Sequence, residues 1–384
     1  MHFLVQTKPY PDEALESYLL RLASDNSYDG YSELADILWQ WFAEQDHELE
    51  GALPLELSKV DVFQARRASS FRIRALKLVA QLADVNAGDI LELVCRRSNF
   101  KFGNLAAVSR NELTIPLELL RTDNIPVCIE CLSESSYIPF YWHLKPYKAC
   151  HKHKTQLTTH CGECHNLVDY RASEAFLECN CGCKLTNSEQ LNDADFKIAS
   201  ALASSSSQKI VGLISWFAKV KQLDMSDADF NRTFVEYFSA WPDGFTAELD
   251  ILTNNARLKQ LNPFNKTKFN SVYGDLLRDC QIAATSNRKN KVLDAIINYF
   301  VGLVDSNPKA KHPNIADLLL CTFDAAVLLN TTTEQVYRLH QEGFLNCAYL
   351  QKKHEHLRAD SHVFYLRQII ELQQAFAAEK PQIK

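Results

Sequence analysis

Apolar positions recur at helical spacing in the first part of the chain. After a Pro-Asp-Glu start signal at 11–13, leucine and alanine recur every three or four residues up to Ala23, which predicts a first helix. The segment 32–44 contains two tryptophans and a phenylalanine and is apolar around most of its circumference. A helix with so little polar surface is expected to be packed in the interior.

Residues 69–97 predict two further helices separated by a polar turn at 84–89, which has the length of a helix-turn-helix corner. Basic residues with few acids between them surround this turn, and the candidate contact residues are Arg66, Arg67, Arg72, Arg74, Lys77, Arg96 and Arg97. They predict contact with nucleic-acid phosphates or with a partner. An ordinary solvated helical surface is the alternative, because charge runs usually are just that.

The second half of the chain is predicted to be helical. Four segments have the helical period, namely 208–221, 228–239, 268–279 and 290–303, and breaks fall near Pro242 and Pro308. Near the end, 324–329, a Thr-rich turn and 334–339 form a second helix-turn-helix candidate. It resembles the small winged helices of excisionases. Glu334 offsets Arg338 there, so a DNA reader and a packing unit both remain open.

Cysteine spacing indicates a metal-binding centre. Eight of the twelve cysteines lie between 128 and 183, mostly as Cys-x-x-Cys knuckles, which point two thiolates at one centre. One predicted ligand set is Cys128, Cys131, Cys150 and His153. The other is Cys161, Cys164, Cys179 and Cys181, in which Cys183 could replace one of the last two. We expect two structural Zn²⁺ ions per chain, although four thiolates alone could hold iron.

Further expectations concern the cellular location, the core of the metal-binding region and the remaining cysteines. Disulfides between these cysteines would need an oxidising compartment. The N-terminus lacks the pattern of a signal peptide that would direct secretion. A cytoplasmic location is therefore expected. Aromatic residues at 137–142 are expected to form the module's small core, and alternation at 167–171 and 175–177 predicts the hairpin of a zinc ribbon. The scattered cysteines, Cys95, Cys280, Cys321 and Cys347, are predicted to be small core residues.

These patterns predict a mainly α fold in three parts. The parts are an N-terminal helical, helix-turn-helix-like domain (1–120), a tandem zinc-finger and zinc-ribbon module (121–185) and a C-terminal all-helical domain (186–384) with its helix-turn-helix-like segment near 316–346. No apolar run approaches the ~20 residues of a membrane helix. The net charge of −6 argues against non-specific coating of nucleic acid, and no common nucleotide-binding motif is present.

Several stretches together resemble one known family. The segment 11–23 followed by Asn-Ser-Tyr at 26–28 resembles the opening of the TniQ family of transposition target-selection proteins. The run of knuckles and the Trp-Pro pair at 241–242 are also similar to that family. Members usually have proline after the first cysteine of a knuckle, where this chain has Ile129 and His151. Length and acidic charge look most similar to the short TniQ proteins of type I-F CRISPR-associated transposons.

This resemblance implies a non-enzymatic adaptor. In that subgroup it implies a homodimer that docks on the crRNA-guided Cascade complex and recruits an AAA+ transposition regulator and the transposase. Reading of the target would then belong to guide RNA pairing, which would explain an acidic adaptor with only secondary DNA or RNA contacts.

The sequence also offers two rival functions. One is direct sequence-specific DNA binding, as a target selector or transcriptional regulator, which salt-dependent binding to duplex DNA would reveal. The other is a metal-dependent nuclease or other hydrolase. Its nearest signal, a His-Glu-His run at 354–356 with His362, is more typical of a solvated helix face.

Overall fold

The structure is a computed structural model that describes residues 2–65, 70–186, 191–205, 207–349 and 358–379. It is mainly helical, as predicted, with 53% helix and few strands. The chain forms two compact units, Met1–Val235 and Glu236–Lys384. The division into three domains stays a prediction. Within the described ranges, every helix is too short or too polar to cross a membrane.

The first unit combines helices with a small sheet. Its helices are α1 (Leu15–Asp25), α2 (Tyr31–Gln45), α3 (Val62–Ala65), α4 (Ser70–Leu82), α5 (Ala87–Leu93), α6 (Ile129–Glu134), α7 (Tyr170–Ser173), α8 (Asp193–Leu202) and α9 (Ser207–Lys221). Strands β1 (Arg96–Arg97), β2 (Ala107–Arg110) and β3 (Leu113–Pro116) form an antiparallel sheet in that order. The boundary of the units falls within α10 (Phe230–Ser239).

Helix α1 lies in the interior of the first unit and touches the segment that precedes the second knuckle. The Ala14 amide donates to the Ile138 carbonyl at 2.9 Å, and the Ile138 amide donates to Ser17 Oγ at 2.8 Å. Glu13, in the start signal at 11–13, stabilises the start of α1, because its carboxylate pairs with Arg21 at 2.7 Å. The start of α1 is therefore hydrogen-bonded to the module that carries the cysteines.

Two predicted helices around the polar turn are confirmed as α4 and α5. The Asn86 side chain accepts a hydrogen bond from the Gly88 amide at 2.7 Å and so caps α5. Asp84 ends the preceding turn with φ of 53°. The helix predicted over 32–44 is likewise present as α2, whose inward side chains are fully buried.

Glu16 is an exception to the apolar interior of the first unit. It lies on α1 with only 1% of its surface exposed, and both carboxylate oxygens lack a hydrogen-bond partner among the described residues. Burial, with a smaller contribution from the negative charge of Asp61, raises the pKa of Glu16 from 4.5 to about 8. The protonated, neutral form is therefore the one that the folded protein favours.

Replacement of this residue, Glu16→Gln, is expected to flatten the pH dependence of unfolding. The folded protein keeps the Glu16 proton up to about pH 8, whereas the unfolded chain releases it near pH 4.5. Wild-type stability should therefore fall as the pH rises between these values, by at most about 1.4 kcal/mol per pH unit. Urea unfolding of both proteins at about pH 6.5 and pH 7.5 measures the difference, and equal pH slopes would contradict the expectation.

The second unit contains helices and one two-stranded sheet. Its helices are α11 (Asp243–Leu258), α12 (Asn270–Tyr273), α13 (Leu276–Asp279), α14 (Lys291–Ser306), α15 (Thr322–Leu328), α16 (Thr333–Gln341) and α17 (Leu366–Glu379). Strands β4 (Leu319–Cys321) and β5 (His362–Tyr365) pair antiparallel. Phe269, Tyr273 and Phe300 pack at its centre with ring centroids 4.9 to 5.3 Å apart.

Two predictions for the second unit need correction. The helix expected over 268–279 is two short helices, because Gly274 between them has φ of 59°, which a continuous right-handed helix does not permit. Helix α11, which follows the expected break at Pro242, was not predicted. The prediction of an all-helical C-terminal domain also missed the two short strands β4 and β5.

Candidate metal centres

The first cluster joins one helix start and one turn. Cys128 is the residue before α6 and Cys131 lies in its first turn, so both thiols leave the backbone on the same side. Cys150 and His153 belong to a turn in which the Lys154 amide donates to the Cys150 carbonyl at 3.0 Å. All four ligand atoms lie within 4.8 Å of one another.

The spacing of these atoms fits a tetrahedral ion. Bonds of about 2.3 Å to sulfur and about 2.0 Å to nitrogen place ligand atoms about 3.3 to 3.8 Å apart. Cys131 Sγ lies 3.5 Å from Cys150 Sγ. His153 Nδ1 lies 3.2 Å from Cys131 Sγ, 3.5 Å from Cys128 Sγ and 3.6 Å from Cys150 Sγ. The set could therefore hold one zinc-sized ion with four protein ligands.

The imidazole of His153 is oriented by a carboxylate. Its Nε2 forms a hydrogen bond of 2.9 Å with Glu134 Oε1, so Nδ1 is the nitrogen that faces the thiols. Glu134 raises the pKa of His153, and it is the usual kind of outer partner for a metal-binding histidine. Glu134 was not among the predicted site residues, although an acid one helical turn after Cys131 is a usable signal.

Charge in the first cluster is shared among the thiols. Hydrogen bonds from Cys128 and Cys131 lower the pKa of Cys150 to about 3, and the reciprocal interactions raise the pKa of Cys131. Mutual hydrogen bonding among the thiols favours ionisation of Cys150. A soft, partly ionised donor set of this type suits zinc.

The second cluster is built from two loops and lies nearer to solvent. Cys161 Sγ is 3.7 Å from Cys181 Sγ, and Cys164 Sγ is 3.6 Å from Cys179 Sγ. The backbone amides of Cys164 and Glu163 lower the pKa of Cys161 to about 7. The group of four contains Cys179 and Cys181, whereas Cys183 lies outside it. The role of all eight predicted residues as metal ligands stays a prediction.

Of the aromatic residues expected at 137–142 to form the module's small core, Phe140 and Trp142 are buried, whereas Tyr137 and Tyr141 are half-buried. Trp142 and Tyr147 are fully buried, and Phe140 is 4% exposed. The Tyr147 hydroxyl lies 2.8 Å from His151 Nδ1, so its polar end is satisfied.

The zinc-ribbon hairpin expected at 167–177 is wrong. Residues Tyr170–Ser173 form the helical turn α7, in which Tyr170 and Arg171 are both buried. Neighbouring residues of a strand point to opposite faces, so a two-sided hairpin would expose one of them. Asp169 favours the turn, because its carboxylate accepts from the Arg171 amide at 3.1 Å and from Arg171 Nη2 at 2.8 Å.

The predicted basic face is dispersed. Arg66 and Arg67 lie outside the described residues. Arg72 is only 4% exposed, and its guanidinium donates to the Val60 carbonyl at 3.1 Å and to Asp61 Oδ1 at 3.2 Å, so its assignment to the surface is wrong. Arg74 pairs with Asp46 and, at 2.9 Å, with Glu48. Lys77, Arg96 and Arg97 are exposed.

Other candidates differ in how the structure places them. Of the scattered cysteines, Cys95, Cys280 and Cys321 are buried, whereas Cys347 is half-buried. In the late helix-turn-helix candidate, Thr332 Oγ1 accepts from the Gln335 amide at 3.3 Å and caps α16, as its sequence predicts. The His-Glu-His run at 354–356 lies outside the described residues.

The fold and the two clusters define a class: a mainly helical protein with two sets of four side chains that could each bind a metal ion. Residues 4–157 match the family model of TniQ, and this match supports the TniQ family. The matched stretch includes α1 and the first cluster. A TniQ domain indicates a transposition-associated adaptor role, and the family consists of non-enzymatic targeting proteins. Comparison with curated proteins finds no match.

Proposed function

We propose that this protein is a non-enzymatic adaptor of RNA-guided DNA transposition. It docks as a homodimer on the crRNA-guided Cascade complex of a type I-F CRISPR system and recruits the AAA+ transposition regulator and the transposase. The observation that carries this proposal is the TniQ match over 4–157, which covers α1 and the first cluster. The subgroup is inferred from the length of 384 residues and the net charge of −6.

Zinc has a structural role in this proposal. Cys128, Cys131, Cys150 and His153 would hold one ion, and Cys161, Cys164, Cys179 and Cys181 would hold the other. Four protein ligands occupy every position of a tetrahedral ion, so neither site can activate a water molecule. Bound zinc would supply cross-links between segments that have too little apolar core to fold firmly alone.

The distribution of charge favours protein partners over phosphates. Of the seven basic residues predicted to contact nucleic acid, Arg72 is in the interior and Arg74 is paired with two carboxylates. Binding to a nucleic-acid backbone depends on several free cations that neutralise phosphates. Of the described residues in this set, Lys77, Arg96 and Arg97 are exposed. Three exposed cations suit a secondary contact with nucleic acid.

The decisive experiment is co-purification of the tagged full-length protein with a crRNA-loaded type I-F Cascade, with zinc quantified in the same sample. A stable complex that contains two copies of the chain is the expected result. A chain that never associates with Cascade, yet supports transposition in cells, would contradict the proposed docking. A chain that associates and neither binds the regulator nor supports transposition would contradict recruitment.

Glu134→Ala is expected to weaken zinc binding by the first cluster about 10- to 100-fold, because His153 loses the carboxylate that orients its ring. Competition with a chromophoric chelator measures this affinity in the full-length protein. Glu112→Ala, which removes an exposed carboxylate elsewhere in the first unit, is the matched control. Equal affinities of the two variants would contradict the assigned role of Glu134.

Direct DNA binding is the second candidate function, and the α15–α16 pair favours it. The capped helix α16 exposes Arg338, but Glu334 on the same helix is also exposed and repels phosphates. The test is binding to a panel of duplexes over a range of salt concentrations. Tight binding to one discrete sequence, reduced by Arg338→Ala, would support this function over the adaptor.

A further inference from the structure

The second unit contains a third group of metal-ligating side chains, which the proposed function does not use. Cys321, Asp324 and His362 each bring one ligand atom to within 4.8 Å of the other two. We infer that these three residues form a separate binding site for a divalent transition ion of the zinc type. The sequence alone predicts Cys321 as a core residue and places His362 with the run at 354–356.

Cys321 and Asp324 are positioned by the junction of β4 and α15. Cys321 ends the strand, and its Sγ accepts a hydrogen bond from the Asp324 amide at 3.4 Å, which holds the two side chains on the same side of the chain. Both are buried, with exposed fractions of 2% and 7%. A buried carboxylate beside a buried thiol is costly unless a cation or donors compensate for it.

His362 comes from the neighbouring strand. It opens β5 opposite Cys321, at a register irregularity between Leu320 and Cys321. The ring nitrogen Nε2 is buried and has no hydrogen-bond partner among the described residues. An imidazole nitrogen that no other group occupies can serve as a metal ligand.

Ordinary helix capping explains only part of this group. The Cys321 thiol and the Asp324 amide form a cap of known type, and no histidine is needed for it. A buried imidazole nitrogen without a partner costs free energy, because it has lost its water and gained no donor. The hydroxyl of Thr322, next to Cys321, is also buried and without a partner in the described part of the chain. The junction of β4 and α15 thus contains more buried polar groups than a helix cap requires.

The donor types select the class of ion. One sulfur, one imidazole nitrogen and one carboxylate oxygen suit Zn²⁺ or Co²⁺, whereas Mg²⁺ and Ca²⁺ prefer oxygen alone. A thiolate and a carboxylate carry two negative charges, which a dication neutralises. The positive charge of Lys268 acts on His362 and would repel a bound cation. The Lys268 side chain is exposed, so water screens this repulsion.

An ion at this site would connect three elements of the second unit: β4, the start of α15 and β5. It would therefore brace the strand pair from which the α15–α16 helices project. Three protein ligands leave a fourth position for water, so this ion should exchange more readily than ions held by four ligands. That difference in exchange separates this site experimentally from the two knuckle clusters.

The test is a Co²⁺ titration of the full-length protein after dialysis against a chelator that removes weakly held metal. We expect wild type to take up one additional ion per chain, with a thiolate-to-cobalt absorption band. Asp324→Asn, which keeps the backbone amide bond to Cys321, and His362→Ala should each lose this uptake. Asp294→Asn, a change of an exposed carboxylate on α14, is the matched control and should retain it.

Two results would overturn the inference. Wild-type protein that takes up no additional ion has no third site. Uptake that persists in both Asp324→Asn and His362→Ala would place the ion elsewhere. If His362→Ala does not fold, the near-isosteric Asp324→Asn variant decides the question by itself, with circular dichroism as the check that its helices are intact.

Discussion

Replacing both Cys128 and Cys131 by serine is expected to remove one zinc ion per chain and to unfold the surroundings of the first cluster. Serine is a poor zinc ligand, and the binding free energy of a structural zinc, about 10 to 16 kcal/mol in small zinc-finger peptides, is also folding free energy. The loss should spread to the start of α1, because Ala14 and Ser17 are hydrogen-bonded to Ile138 and the Asp12 carbonyl accepts from the Phe140 amide. Metal analysis and limited proteolysis of the full-length protein measure both effects.

Cys280→Ser is the matched control for this double variant. Cys280 is a fully buried cysteine of the second unit outside all three groups of ligating side chains, so its replacement should leave the zinc content unchanged. Protease resistance around 121–185 should also stay at the wild-type level in the control. A double-serine variant that keeps its zinc and its resistance would show that the first cluster is not a metal site.

Arg72→Ala is expected to destabilise the first unit by about 3 to 5 kcal/mol, the usual cost of removing one partner of a buried ion pair. The guanidinium donates to the backbone carbonyls of Val60 and Asp61 and to Asp61 Oδ1, at 3.0 to 3.2 Å, and to the Cys95 carbonyl at 2.5 Å. Alanine leaves all of these acceptors buried without this donor. Urea unfolding followed by circular dichroism measures the change in the free energy of unfolding.

Arg74→Ala is the matched control, because Arg74 lies on the same helix and its side chain is 43% exposed. Exposed ion pairs contribute at most about 1 kcal/mol, so this variant should be nearly as stable as wild type. Equal stability of the two variants would contradict the structural role of Arg72. A loss of nucleic-acid binding by Arg72→Ala at unchanged stability would restore its assignment to a contact surface.

The knuckles were predictable because their geometry is local. Cys128 and Cys131 are three residues apart, and so are Cys150 and His153, so the backbone of one turn brings each pair together. The same holds for the cap of α16, where Thr332 bonds an amide three residues later. The choice of Cys181 over Cys183 was not predictable, since both follow Cys179 at short spacing.

The assignment of Arg72 to a basic face was wrong because its partners are not local in sequence. Its partners, Asp61 and the Cys95 carbonyl, are 11 and 23 residues away in sequence. Charge patterning along a helix shows that a residue is basic, but whether it faces water depends on what packs against it. The pattern at 167–171 was misleading in the same way, because alternation cannot distinguish a strand from a turn capped by Asp169.

The sequence by itself determined the helical character of the chain, the knuckle pairs and the resemblance to TniQ, because these depend on neighbours within about one or two turns. Tertiary structure decided which charges are buried, which of the late cysteines joins the second cluster and how Cys321 meets His362. Each of these depends on side chains that are distant in sequence and become neighbours only when the chain packs. The free energy of burying a charge or an unpaired nitrogen is set by that packing and not by local order along the chain.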